Sequence, residues 1–220
     1  WIGEALASVV GQSHPVSERV VVDDGSTDDG PTIVEEFAAS NSLPVHLLRI
    51  SHVGVSGARN AGIQTTSSDY VAFLDSDDVW APQKIERQVE AMRRSAAVIC
   101  TTGYAQFDSD TRTVQGVVVG RWPDRTIRRW LALEGNGLLL SSTGLVRRSA
   151  LEEVNEFDSR VSICEDLDLV VRLQEVGPIL IDREVLVGYR QHATQAHRRM
   201  YDLATNVATL YRLQTLERYG

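Results

Sequence analysis

Tyr70-Val71-Ala72-Phe73-Leu74-Asp75-Ser76-Asp77-Asp78 is the segment from which the architecture of this chain follows. Its first five residues form a short apolar run rich in β-formers, which predicts a buried strand over Tyr70–Leu74. Three carboxylates follow at once, with no basic residue among them. Side chains alternate along a strand, so Asp75 and Asp77 are expected on one side. Two carboxylates so placed repel each other unless a cation lies between them. Mg²⁺ and Mn²⁺ prefer oxygen ligands, and Mg²⁺ commonly takes one or two carboxylates plus substrate phosphates. A solvated acidic turn leading to a helix near Pro82 accounts for the same residues without a metal.

The flanking segments repeat the pattern. Trp1–Val10 has Ile2, Ala5, Leu6 and Val9 at helical spacing, and His14-Pro15 ends it. Arg19–Asp24 reads as a second buried strand ending in acid. A polar turn and a helix from Pro31 to Ala39 follow it. In such units ligands sit beyond the carboxyl ends of the strands, although Asp23 and Asp24 also suit a turn. Val45–Ile50 is the next strand. Gly54-Val55-Ser56-Gly57-Ala58-Arg59-Asn60-Ala61-Gly62 then enters a helix, where small residues and a helix start welcome anionic groups and Arg59 adds a fixed charge. Its glycine spacing matches neither common nucleotide-binding fingerprint. A helix over Pro82–Arg94 turns Ile85, Val89 and Met92 inward. The alternation predicts an α/β fold with a mixed, mostly parallel sheet flanked by helices.

Past Ser95 the alternation stops. Strands are expected at Val98–Gln106, Thr113–Val119 and Ser142–Arg147, and a helix at Arg125–Leu133 before a loop at Gly135–Gly137. Arg128-Arg129 and Arg147-Arg148 read as solvated pairs. Glu165–Val176 is expected to be helical, with Leu167, Val170 and Val171 inward and Gly177-Pro178 as its stop. Acids in its first turn complement the helix dipole. Two short strands, Ile179–Ile181 and Val185–Tyr189, and an amphipathic helix over Arg198–Arg218 complete the reading. No linker separates two domains. The division is a nucleotide-binding half over 1–95, an acceptor-side half over 96–196 and a terminal helix over 197–220.

Composition narrows the partners. The 220 residues are 43% apolar and 24% charged, within the range of one domain with a sizeable core. A net charge of -8 argues against nucleic acid or anionic lipid as a partner of the whole surface. Cys100 and Cys164 make neither a disulfide framework nor a zinc pattern, and they read as buried small hydrophobes in a reducing compartment. No apolar run approaches the ~20 residues of a membrane span. A cytoplasmic location is expected, with room for peripheral membrane association.

Taken in order, Ile2–Gln12, Val20–Asp28, Gly54–Gly62, Phe73–Asp78, Asn155–Asp158, Cys164–Leu169 and Tyr189–His192 resemble glycosyltransferase family 2, the inverting nucleotide-sugar enzymes of the GT-A fold. The resemblance implies that Asp24 contacts the nucleotide base and that Arg59 lies near the diphosphate. It makes Asp75-Ser76-Asp77 a DxD motif, with Asp75 near the ribose and Asp77 on a Mg²⁺ or Mn²⁺ ion. Asp166 matches the catalytic base, and His192 a metal-binding histidine. The implied reaction moves one sugar, of the hexosyl type, from a nucleotide-sugar donor to a carbohydrate or other hydroxyl acceptor. It belongs to polysaccharide or glycoconjugate biosynthesis.

The front of the chain departs from the family. The first strand and its Pro-x-Tyr-Asn-like turn have no counterpart, which reads as a truncated front rather than a natural start. Were the strand truly absent, the sheet would lose a central member and nucleotide binding would suffer. The Gln-x-x-Arg-Trp motif of processive synthases is also absent, favouring single-sugar transfer. A degenerate nucleotide-sugar-binding domain and a nucleotidyltransferase are the alternative functions.

Overall fold

The structure, a computed structural model, describes residues 1–41, 44–119, 140–161 and 165–193. The helix expected at Arg125–Leu133, the loop at Gly135–Gly137, the terminal helix and Cys164 lie outside these residues.

The elements run α1 (Ile2–Val10), β1 (Val20–Asp23), α2 (Gly30–Asn41), β2 (His46–Arg49), α3 (Gly54–Thr65), β3 (Tyr70–Ala72), β4 (Val79–Trp80) and α4 (Lys84–Arg93). They continue as β5 (Ile99–Asp108), β6 (Val114–Val118), α5 (Leu140–Thr143), β7 (Leu145–Arg147), α6 (Arg148–Glu153), α7 (Glu165–Val176) and β8 (Ile179–Gln191). β1 and β2 pair in parallel as a two-stranded sheet. The other strands form a six-stranded sheet in the order β3-β7-β5-β8-β4, with β6 added to β5. The architecture is mixed α/β. Its parallel ladders are β1–β2 and the long β5–β8 pairing, and the remaining pairings are antiparallel.

Alternation along the strands sends neighbouring residues to opposite faces. Ile99 and Val146 enter one core with Ile63 of α3, Leu151 of α6 and Leu169 of α7. Cys100 and Leu145 enter the other, against Ile85, Val89 and Met92 of α4, the inward face expected of that helix. Burial pushes the Cys100 thiol up to about 11, so it behaves as a small hydrophobe. The inner side of α7 is Leu169, Val170, Val171 and Leu173, whereas Leu167 lines the cavity described below.

Several expectations change. β3 stops at Ala72, and 75–78 is a turn closed by Asp78 N–H on the Asp75 carbonyl at 3.1 Å. β3 and β1 are half-buried, because each has one paired edge and the other beside a cavity. Ser141–Thr143 belong to a helical turn, so the strand there starts only at Leu145. Ile179–Gln191 is one strand, because register shifts between Thr101 and Tyr104 of β5 absorb the polar residues 182–184. Arg147 and Arg148 are not solvated. Arg148 donates to the carbonyls of Ile63 and Ser68, and Arg147 to those of Met92 and Ala97. They thereby satisfy carbonyls at and beyond the ends of α3 and α4.

Between β1 and β3 lies a cavity of about 1370 Å³, walled by residues such as Leu6, Val21, Ile63 and Val71. The two strands do not pair with each other among the described residues. Among these residues no helix is long and apolar enough to cross a membrane.

Candidate active site

The carboxyl ends of β1 and β3 and the starts of α3 and α7 meet around this cavity. Asp24, Arg59, Asp75, Asp77 and Asp166 all line it. His192 joins through Asp77, its Nε2 lying 2.9 Å from the Asp77 Oδ2. The structure thus brings together every site residue expected from the sequence.

Asp24 follows β1 and works first as a cap. Its Oδ1 accepts the Val53 N–H at 2.7 Å and its Oδ2 the Gly54 N–H at 2.9 Å. Gly54 has φ +85°, a conformation glycine adopts without strain, and it turns these amides onto the carboxylate. The His52 ring packs beside the same carboxylate, Nδ1 to Oδ2 at 3.1 Å. Gly62 lets α3 approach β1, since a Cβ there would meet Val22 at 3.3 Å.

Arg59 sits on α3 as a strut. It donates to Asp75 Oδ1 at 2.9 Å and to Glu165 Oε1 at 2.8 Å, and it lies 5.3 Å from the centre of the Phe157 ring. Its charge is therefore held between two carboxylates on the cavity wall, which raises its pKa despite burial. Sequence reasoning gave Glu165 only a dipole role, because nothing in the spacing links it to a residue 106 positions earlier.

Asp166 stands next to Glu165 at the start of α7, its Oδ1 accepting the Leu167 N–H at 2.8 Å. Burial, with the neighbouring Glu165 carboxylate, pushes its pKa up to about 6, while Arg59 pulls the other way. The helix dipole favours the ionised form, yet desolvation outweighs it. The carboxylate is still mostly ionised at pH 7, with a proton affinity suited to a base.

The acidic turn is braced from below. The Asp75 N–H donates to Ser142 Oγ at 3.2 Å, and the Trp80 indole N–H to the Ser142 carbonyl at 2.8 Å. Asp78 is buried, and desolvation with repulsion from Asp75 and Asp77 pushes it up to about 7. Asn60 of α3 holds Phe157 by its backbone, accepting its N–H at 2.9 Å and donating to its carbonyl at 2.8 Å. The sequence reading gave no role to Ser142 or Asn60. Neither carries a charge or a periodicity that would have marked it.

Asp77 and His192 are the residues that could hold a divalent cation, with one oxygen and one nitrogen donor 2.9 Å apart. Among the described residues no group of three or more His, Cys, Asp or Glu converges on one point. A site with few protein ligands fits Mg²⁺ or Mn²⁺, which leave positions for phosphate oxygens.

Comparison with known proteins shows the family and the fold. The profile of Glycosyl transferase family 2 matches residues 1–154. An uncharacterized glycosyltransferase of Nostoc sp. is 30% identical over 201 residues, covering 90% of this chain and 62% of that protein. TuaG of Bacillus subtilis, whose name places it in teichuronic acid biosynthesis, is 35% identical over 111 residues, 50% of this chain and 44% of that one. The chain thus spans less than two thirds of the length of these relatives. TarS 1–349 of S. aureus, crystallised with UDP-GlcNAc, superposes with a TM-score of 0.67 at 21% identity, over 89% of this chain and 56% of that 1–349 chain. The fold is GT-A, and the chain is a glycosyltransferase domain that belongs to Glycosyl transferase family 2.

Proposed function

We propose that this domain transfers one sugar from a nucleoside-diphosphate sugar to an acceptor hydroxyl with inversion of the anomeric centre, with Asp166 as general base. The observation that carries the reading is the placement of Asp166. Its pKa is pushed up to about 6, and it lines the same cavity as Asp24, Asp75 and Asp77.

The chemistry follows from these positions. Asp24, at the end of β1, and Asp75 address the nucleoside, and Asp77 with His192 addresses the diphosphate end. The acceptor oxygen attacks the anomeric carbon, and its proton passes to the Asp166 carboxylate. The bond from the anomeric carbon to the diphosphate oxygen breaks, and its electron pair leaves with the diphosphate. Asp77 and His192 are the residues that would hold a divalent cation, which would supply Lewis-acid stabilisation of that leaving group. Arg59 contributes a fixed positive charge from between Asp75 and Glu165, and its position needs no reorganisation during the reaction. One displacement from the far face inverts the centre.

TarS crystals contain UDP or UDP-GlcNAc, which makes UDP-sugars the first donors to try. Titration calorimetry with UDP, with and without Mn²⁺, is expected to show binding that strengthens with the metal. NMR of the product formed from an α-linked donor is expected to show the β-anomer. Equal UDP affinity with and without Mn²⁺ contradicts the metal role, and a product with retained configuration contradicts the single displacement.

A further inference from the structure

Arg190, one residue before the end of β8, is 1% exposed, and its contacts include the acidic turn and the helix behind it. Its backbone N–H donates to Asp78 Oδ1 at 3.1 Å. Its Nε donates to the Asp77 carbonyl at 2.7 Å. Its Nη2 reaches Glu4 Oε2 on α1, and its guanidinium lies 4.7 Å from the centre of the Phe107 ring of β5. The other Glu4 oxygen takes Arg112, from the turn between β5 and β6. Glu4 therefore ties α1 to two arginines from different parts of the six-stranded sheet.

His192 lies two positions beyond Arg190, and its Nε2 is 2.9 Å from Asp77 Oδ2. The end of β8 thus grips Asp77 twice, by its carbonyl through Arg190 and by its carboxylate through His192. A buried guanidinium is costly unless paired, so Arg190 and Glu4 hold each other in place. The acidic turn is fixed to both.

We propose that Arg190 is a positioning residue. It locks the 75–78 turn to β8 and, through Glu4, to α1, and so sets where the Asp77 carboxylate stands. This rests on the reading of Asp77 as the group that meets the cation and the diphosphate. Arg190 acts through Asp77.

The test measures Mn²⁺ binding in the presence of UDP, by loss of the free-ion EPR signal, on wild type, Arg190→Met, Arg190→Lys and Glu4→Gln. Circular dichroism confirms the fold of each. Arg190→Met is expected to weaken Mn²⁺–UDP binding by about 10–100-fold, the usual effect of removing a group that orients a metal ligand. Arg190→Lys restores one donor and is expected to fall between. Glu4→Gln is expected to weaken binding in the same direction, and the Glu4→Gln/Arg190→Met pair to be no worse than Arg190→Met alone, since both act along one path. Folded variants with lowered melting temperature but wild-type Mn²⁺–UDP affinity would show a merely structural role and overturn the proposal. If Arg190→Met does not fold, Arg190→Lys and Glu4→Gln decide by the same criterion. A wild type that binds UDP without any Mn²⁺ dependence overturns the metal reading, and the role of Arg190 with it. Wild-type dependence left intact in every variant overturns only the role of Arg190.

Discussion

Lys84 shows how a single residue can oppose the fold that contains it. It is fully buried, 4.3 Å from the centre of the Trp80 ring, and donates to Gln88 Oε1 at 2.8 Å. Gln88 in turn donates to the carbonyls of Cys100 and Thr143, which ties α4 to β5 and to α5. Desolvation pushes the Lys84 pKa down from 10.5 to about 7. A base depressed on folding is protonated in the unfolded chain and neutral in the native one between these values. Its cost is therefore fully present below about pH 7 and is relieved as pH rises toward that of a free lysine. Lys84→Met is expected to stabilise the domain by about 1–4 kcal/mol near pH 7, with a smaller gain at pH 10. Urea melts at the two pH values check this. A gain that does not shrink at the higher pH contradicts the assignment. No sequence pattern announced this lysine, which occupies the first position of an amphipathic helix where exposure is the ordinary outcome.

At the scale of elements, α3 shows how the site and the fold share residues. Asp24 holds its first turn, Asn60 fastens Phe157 to its side, and Arg59 spans from it to the acidic turn after β3 and to α7. Asp24→Ala removes a cap and is expected to cost about 0.5–2 kcal/mol, with loss of donor affinity. Asp24→Asn retains an acceptor and is expected to keep most of the stability while still weakening UDP binding. Thermal melts and UDP titration on both variants separate the two roles. Unchanged UDP affinity in Asp24→Asn removes Asp24 from the nucleotide site.

The helices and longer strands were legible because their apolar spacing is set by what they bury. The Ile85, Val89 and Met92 face of α4 was read directly. The two-residue β4 and the six-residue α6 were not, because neither is long enough to show a period. Arg147 and Arg148 were misread because a basic pair carries no mark of the helix ends it will meet. The candidate site residues were picked out by the ordered motifs rather than by periodicity. Their partners Glu165, Ser142 and Arg190 were not, since each contact joins residues more than 60 positions apart.

At the scale of the molecule, the two sheets and the helices beside them border a cavity, and the proposed site residues line it. Strands supply positions, and the turns after them supply carboxylates, as open α/β sheets do. Asp166 completes that arrangement from a helix belonging to the second half of the chain. Its pKa of about 6 predicts that kcat/KM falls below about pH 6, as the base becomes protonated, and is level above it. The decisive measurement is steady-state transfer from a UDP-sugar by folded Asp166→Asn, alongside donor titration. Donor binding is expected to survive while turnover falls by about 10²–10⁴-fold. Turnover within about threefold of wild type, at unchanged donor affinity, would contradict Asp166 as the base.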